Sequence, residues 1–310
     1  MSTLPPLPAE PLRIRSWKLR TRTVTAGPLP LLMGIVNVTP DSFSDGGRFF
    51  DPAKAVEHGL QLAAEGADLL DVGGLSTRPG SDPVDADEEL RRVLPVIAAL
   101  CKQTGVPVSV DTFRAVVASQ SLDAGAEAIN DITALSGDPD MPALAARSGC
   151  GVCAMHMLGT PKTMQQNPVY HDVVGEVIHD LGRRRDALLA AGIEQARIAL
   201  DPGIGFGKTT EHNLALLANA WRLHALGCPV LIGPSRKRFI GEVLGDLAAD
   251  RTAGTIGVAL ALAQQGVQII RVHDVAAVRR ALVLFKASGG LDRGTGVSPV
   301  FATPPPKSFT

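Results

Sequence analysis

VPVSVDTFRAVVASQSLDAGAEAIN, residues 106–130, holds one full cycle of the pattern that decides the fold. Residues 106–110 form a short apolar run stopped by Asp111. Residues 113–123 follow with apolar side chains at helical spacing, and Ala124-Gly125 closes them where the chain leaves a helix through positive φ. A second apolar pair, 128–129, then ends in Asn130. Strand, polar end, helix, glycine, strand is a unit that lays two parallel strands side by side with a right-handed helical crossover.

The unit recurs in both directions. Apolar runs at 31–36, 69–72, 106–110, 128–129, 151–155, 198–200, 230–232 and 269–272 make eight. Helices are expected at 53–65, 86–103, 113–123, 141–147, 172–191, 211–226, 252–265 and 275–287. Gly66, Gly125, Gly192 and Gly266 sit at helix ends, while Asp51-Pro52 and Asp138-Pro139 read as starts with a capping acid and a leading proline. Eight alternations favour a closed barrel over an open dinucleotide-binding sheet. The latter needs G-x-G-x-x-G directly after a strand, and no junction supplies it. The expectation is an α/β chain: a single (β/α)8 TIM barrel across residues 12–290 with a short N-terminal strand pair. Residues 1–11 and 291–310, rich in Pro, Gly, Ser and Thr, read as flexible tails.

Composition narrows the function classes. A hydrophobic content of 45% supports a real core, and a net charge of −1 gives no whole-protein field toward nucleic acid or an anionic membrane. No apolar run nears the roughly 20 residues of a membrane span and no signal-peptide core opens the chain, so a cytoplasmic protein is expected. Cys101, Cys150, Cys153 and Cys228 are too few and scattered for a disulfide framework. Cys150 and Cys153 form a C-x-x-C inside an apolar run with no second cysteine pair, which reads as buried and inert. The sequon Asn37-Val38-Thr39 carries no weight without secretion. Arg13, Arg15, Lys18, Arg20 and Arg22 suit either a nucleic-acid arm or a solvated strand face. Their alternation with Ile14, Trp17 and Leu19 favours the face.

In such a barrel the working groups stand at strand C-terminal ends. Those positions hold Asn37, Asp71, Asp111, Asn130, His156, Asp201, Ser235, Arg271 and His273. Taken singly, a carboxylate there caps a helix and an asparagine closes a turn, and that bland reading is given to Asp71 and Asp274. Two carboxylates and an Asn converging from neighbouring strands are costly without a ligand. Their types suit a flat heterocycle with an amidine-like edge. Thr77-Arg78-Pro79-Gly80, Ser235-Arg236-Lys237 and Arg271-Val272-His273 add cations and hydroxyls suited to phosphate. The run 201–209, DPGIGFGKT, fails as a P-loop because Pro202 stands where the first glycine belongs. It reads instead as a flexible strand-end loop whose glycines admit a ligand closely, with merely structural glycines as the rival. Residues 39–50 and 76–88 are long loops that read as lids.

Eight stretches in order then resemble the dihydropteroate synthase family of pterin-binding enzymes: 33–47 (MGIVNVTPDSFSDGG), 73–80 (GGLSTRPG), 108–112 (VSVDT), 129–132 (INDI), 155–157 (MHM), 201–208 (DPGIGFGK), 235–237 (SRK) and 271–275 (RVHDV). The resemblance implies condensation of 7,8-dihydropterin-6-ylmethyl pyrophosphate with p-aminobenzoate, giving 7,8-dihydropteroate and pyrophosphate. It implies that Asp111, Asn130, Asp201 and Lys237 bind the pterin, with Asp111 and Lys237 also carrying catalysis. Asn37 would ligate Mg²⁺ on the pyrophosphate, and Arg271 and His273 would hold its phosphates. Phe43 belongs by resemblance to the first lid, Thr77, Arg78 and Pro79 to the second, and Ser235 lies near the aminobenzoate carboxylate. The family also implies a homodimer and sulfonamide competition with p-aminobenzoate. One position departs: the family commonly reads Gly-Gly-Glu-Ser-Thr-Arg-Pro-Gly, and Leu75 occupies the Glu position. A non-catalytic or altered pterin-binding paralogue and a methyltetrahydrofolate:corrinoid methyltransferase stay open as alternatives. The second has no pyrophosphate to expel and so no use for the phosphate-binding stretches.

Overall fold

The computed structural model describes residues 14–39, 51–75, 84–160 and 163–291. Residues 1–13, 292–310 and most of both lid loops, with Phe43, Thr77, Arg78 and Pro79, lie outside the described residues.

An antiparallel pair, β1 (Ser16–Lys18) and β2 (Thr23–Thr25), precedes eight parallel strands. These are β3 (Leu31–Asn37), β4 (Leu69–Gly73), β5 (Val108–Asp111), β6 (Ala128–Asp131), β7 (Gly151–Met155), β8 (Ile198–Asp201), β9 (Leu231–Ile232) and β10 (Ile269–Val272). They run in the order β8-β7-β6-β5-β4-β3-β10-β9, and a parallel bridge from Leu200 to Val230 joins the two ends into a barrel. The helices are α1 (Pro52–Ala64), α2 (Ala86–Gln103), α3 (Ala115–Asp123), α4 (Met141–Ser148), α5 (Val173–Ala190), α6 (Thr210–Ala218), α7 (Arg238–Leu244), α8 (Thr252–Gln264) and α9 (Val275–Ala287). The expected architecture and strand pair are both present.

The strand pair has a definite task. Trp17 and Leu19 are buried against Met33, Leu69, Ala128, Cys153, Ala199, Leu231 and Ile269, the lowest inward layer of the strands. Trp17 donates its indole N–H to the Arg197 carbonyl at 2.8 Å. The pair thus stoppers the N-terminal end of the barrel. Its cations are spent on that docking: Lys18 meets Glu194 at 2.7 Å, Arg22 meets Glu127 at 3.1 Å, and Arg20 donates to the Leu122 carbonyl. The same face stays solvated, with Arg15, Arg20 and Arg22 exposed while Trp17 and Leu19 are buried, as the alternation in the sequence leads one to expect.

Local chemistry explains where elements depart from the expected bounds. β5 starts at Val108 because Pro107 has no N–H to give, although its carbonyl accepts from Leu70 at 3.0 Å. Asp138 does not cap the fourth helix. Its side chain accepts from the backbone N–H groups of Ala115 and Asp140, and Asp140 takes the cap position of α4. The helix expected at 211–226 breaks at Asn219, whose side chain bonds back to the Ala215 carbonyl at 2.9 Å, and continues as a 3₁₀ helix, Ala220–Leu226. The four expected helix-end glycines, Gly66, Gly125, Gly192 and Gly266, all have positive φ. Cys150 and Cys153 are buried free thiols, and no described helix is long and apolar enough to cross a membrane.

Candidate active site

Strand periodicity builds the site. Side chains alternate faces, so the inward set of the lowest apolar layer (Leu69, Ala128, Ile269) repeats two residues on as Asp71, Asn130 and Arg271. Ser109 is the Cα partner of Asp71 across β4 and β5 and donates its hydroxyl to that carboxylate. Above the stopper the barrel interior therefore turns polar. Asn37, Gly73, Asp111 and Asn130 are successive register partners across β3 to β6. A Cβ on Gly73 would sit 3.3 Å from the Asp111 Cβ, so the glycine leaves room for that carboxylate.

An open cavity of about 1630 Å³ occupies this end, and Asn37, Asp111, Asn130, Asp201, Ser235, Lys237, Arg271 and His273 all line it. Every described residue proposed for the site by resemblance is thus brought to one mouth. Leu75 lines it too, placing an isobutyl group where the family commonly has a carboxylate.

Charge pairing divides the lining. Arg271 donates Nε to Asp71 at 2.6 Å and Nη2 to Asp111 at 2.9 Å. Burial pushes Asp111 up to about 7, the neighbouring Asp71 adds to the rise, and Arg271 opposes it. Asp201 accepts from the Gly203 N–H at 2.7 Å, and burial raises its pKa against the pull of Lys237. Burial brings Lys237 down to about 8 while Asp201 resists. Its Nζ donates to the Ile204 carbonyl and stands 4.6 Å from the Phe206 ring centroid. On the other side Ser235 Oγ accepts from the His273 N–H at 3.2 Å and lies 3.0 Å from its Nδ1. Arg236, at the rim of the same cavity, pairs with Asp274, so Asp274 holds a cation and does not cap α9 with its side chain.

The loop after β8 needs its glycines for backbone reasons. Gly203, Gly205 and Gly207 have φ of +68°, +82° and +64°. A Cβ on Gly203 would lie 1.9 Å from the His156 carbonyl oxygen. Gly203 and Gly207 thus have a structural reason, Gly205 also lines the cavity, and the turn they make brings Lys208 to the mouth beside Asp201 at the end of β8.

Three residues differ from the sequence reading. His156 is buried beside Lys208 (Nδ1 to Nζ, 3.0 Å) and does not line the cavity; burial and that lysine lower its pKa to about 3. Lys208, not singled out by sequence, lines the cavity at 3% exposure, and burial brings it down to about 7. Asp71 neither caps a helix nor closes a turn. It accepts from Ser109 Oγ, from Asn130 Nδ2 at 2.9 Å and from Arg271. Its inward parity with Leu69 was the available signal. Among the described residues no cluster of three or more His, Cys, Asp or Glu could hold a metal ion.

Comparison with known proteins agrees with this geometry. The sequence model of the family described as pterin binding enzyme matches residues 33–273. The chain is 50% identical over 266 residues to a dihydropteroate synthase of Neisseria meningitidis serogroup B, covering 84% of this chain and 93% of that protein. A solved Xanthomonas albilineans dihydropteroate synthase with 4-aminobenzoic acid superposes with a TM-score of 0.82 at 48% identity, covering 88% of this chain and 98% of that one. The same enzyme in complex with 7,8-dihydropteroate gives 0.79 at 46% identity, with the same coverage of both chains.

Proposed function

The chain belongs to the pterin-binding enzyme family as a dihydropteroate synthase, and from that premise we propose how its residues divide the reaction. It joins 7,8-dihydropterin-6-ylmethyl pyrophosphate to p-aminobenzoate. A C–N bond forms at the pterin CH₂, the C–O bond to pyrophosphate breaks, and pyrophosphate leaves with that electron pair. The aniline nitrogen is neutral at pH 7 and loses its proton after attack, so the reaction needs no dedicated base.

The observation that carries the assignment is the convergence of two sets of polar groups on one mouth. Carboxylates and a carboxamide (Asp111, Asn130, Asp201) with Lys237 form an arc suited to the N–H and ring-nitrogen edge of a pterin. Ser235 and His273, joined by hydrogen bonds, form the opposite arc with Asn37 and the free edge of Arg271. In this arrangement Asp111 stabilises the cation developing on the pterin, and Arg271 and His273 neutralise the departing pyrophosphate. Ser235 receives the carboxylate of p-aminobenzoate. Positioning and charge are the main terms.

The donor set at the end of β3 suits a divalent cation that rides on the pyrophosphate. Among the described residues no carboxylate cage is present, and the neutral oxygen of Asn37 at the end of β3 would serve as a protein ligand to Mg²⁺, an ion that keeps waters and binds substrate phosphates. Bound there, Mg²⁺ would supply charge neutralisation for the leaving group. Phe43, Thr77, Arg78 and Pro79 are assigned to the closing loops on the family motifs alone. A homodimeric, cytoplasmic enzyme completes the proposal.

The test is pyrophosphate release by the purified protein with Mg²⁺. Release is expected only when the pterin pyrophosphate and p-aminobenzoate are both present, with 7,8-dihydropteroate formed one for one. Absence of release under those conditions overturns the reading.

A further inference from the structure

One buried carboxylate outside both arcs touches a member of each. Asp71 is fully buried in β4 and does not itself line the cavity. It binds Asn130 of the pterin arc, Arg271 of the leaving-group arc and Ser109 beside it. We propose that Asp71 is a positioning residue that fixes the orientation of the Asn130 carboxamide and the reach of Arg271, and so holds the two halves of the site in register. The inference rests on the functional reading above.

The argument is one of donor and acceptor chemistry. An ionised carboxylate only accepts, so the Asn130 amide must turn its nitrogen toward Asp71. That leaves Oδ1 and the second N–H for the cavity, which sets the pattern a heterocycle must match. Arg271 binds Asp71 through Nε, a fixed point on a planar fork. The guanidinium plane is thereby set, and its remaining N–H groups face the mouth beside Asp111. An amide at position 71 would have one acceptor oxygen where three donors now converge. Asn130 would then be free to turn over and Arg271 free to swing wholly onto Asp111.

Asp71→Asn, with Ser109→Ala as a milder variant, tests this against wild type. The charged groups acting on Asp111 are Asp71 on β4, Arg271 on β10, Asp131 on β6, Glu89 on α2 and Lys237 just before α7. Removing the first and releasing the second both ease ionisation of Asp111, so the acid limb of the kcat/KM profile should move to lower pH. A misplaced arc should also cut kcat/KM for the pterin pyrophosphate on the order of 100-fold, with the KM for p-aminobenzoate within about twofold. Calorimetry with 6-hydroxymethylpterin should show weakened binding without any turnover. General loosening of the fold would lower Tm and move both KM values while leaving the acid limb in place. Retention of pterin binding and of the acid limb in Asp71→Asn overturns the inference. If that variant does not fold, Ser109→Ala decides: a smaller loss in the same direction supports the proposal, and wild-type parameters overturn it. Inactive wild type would instead sink the functional reading.

Discussion

Gly203→Ala probes the site through its backbone, and its effect follows from the coordinates. The added Cβ would lie 1.9 Å from the His156 carbonyl oxygen, on a residue with φ of +68°. Left-handed backbone costs an L-residue about 1–2 kcal/mol. Real Cβ atoms essentially never approach closer than 3.0 Å, so about an ångström of separation must be found. His156 is held by its N–H to the Asp201 carbonyl at 2.9 Å, so Gly203 is the side that yields. Its own N–H then leaves the Asp201 carboxylate, a bond to an ionised group that contributes about 1.5–3 kcal/mol. The combined loss is on the order of 3 kcal/mol, read as a lower urea midpoint. Freed from that bond, the Asp201 carboxylate is no longer held in one orientation, which should cut kcat/KM for the pterin pyrophosphate on the order of 100-fold. Gly257→Ala is the control: it is a helical glycine with open space around its Cβ position, and it should be neutral or stabilise by up to about 1 kcal/mol. Unchanged midpoint and kcat/KM in Gly203→Ala would refute the claim that the glycine turn holds Asp201 in place.

Three further outcomes are expected. The kcat/KM for the pterin pyrophosphate should be bell-shaped, because Asp111 must be ionised, which favours pH above about 7, and Lys237 must be charged, which favours pH below about 8; a flat profile from pH 5 to 9 contradicts both roles. Lys237→Ala removes the cation over Phe206 and its tie to the Ile204 carbonyl, so turnover should fall on the order of 100-fold or more while urea unfolding stays cooperative. Chelation of divalent cations should stop pyrophosphate release and added Mg²⁺ restore it; full activity in excess chelator contradicts the role given to Asn37.

Much of this was legible in the sequence because a parallel barrel repeats its grammar. Each β–α unit writes its strand as an apolar run and its helix end as a glycine, and all eight strands lie where those runs fall. Site residues at strand ends were legible for the same reason, since the last inward position of a strand faces the mouth. What sequence could not weigh was partner choice. Asp71, Asp138 and Asp274 all stand where acids cap helices or turns, and each is claimed by a group distant in sequence: Arg271, the Ala115 N–H and Arg236. His156 follows its strand as a site residue should, yet the loop after β8 brings Lys208 against it and closes it off. The α7 helix went unread because it is seven residues long and starts at Lys237 without a side-chain cap.

The claim that one mouth divides into two binding arcs is tested most directly by calorimetry with each half of the substrate. Asp201→Asn should lose 6-hydroxymethylpterin binding while still binding pyrophosphate with Mg²⁺. His273→Ala should do the reverse. If either variant loses both ligands equally while remaining folded, the site is not divided as described.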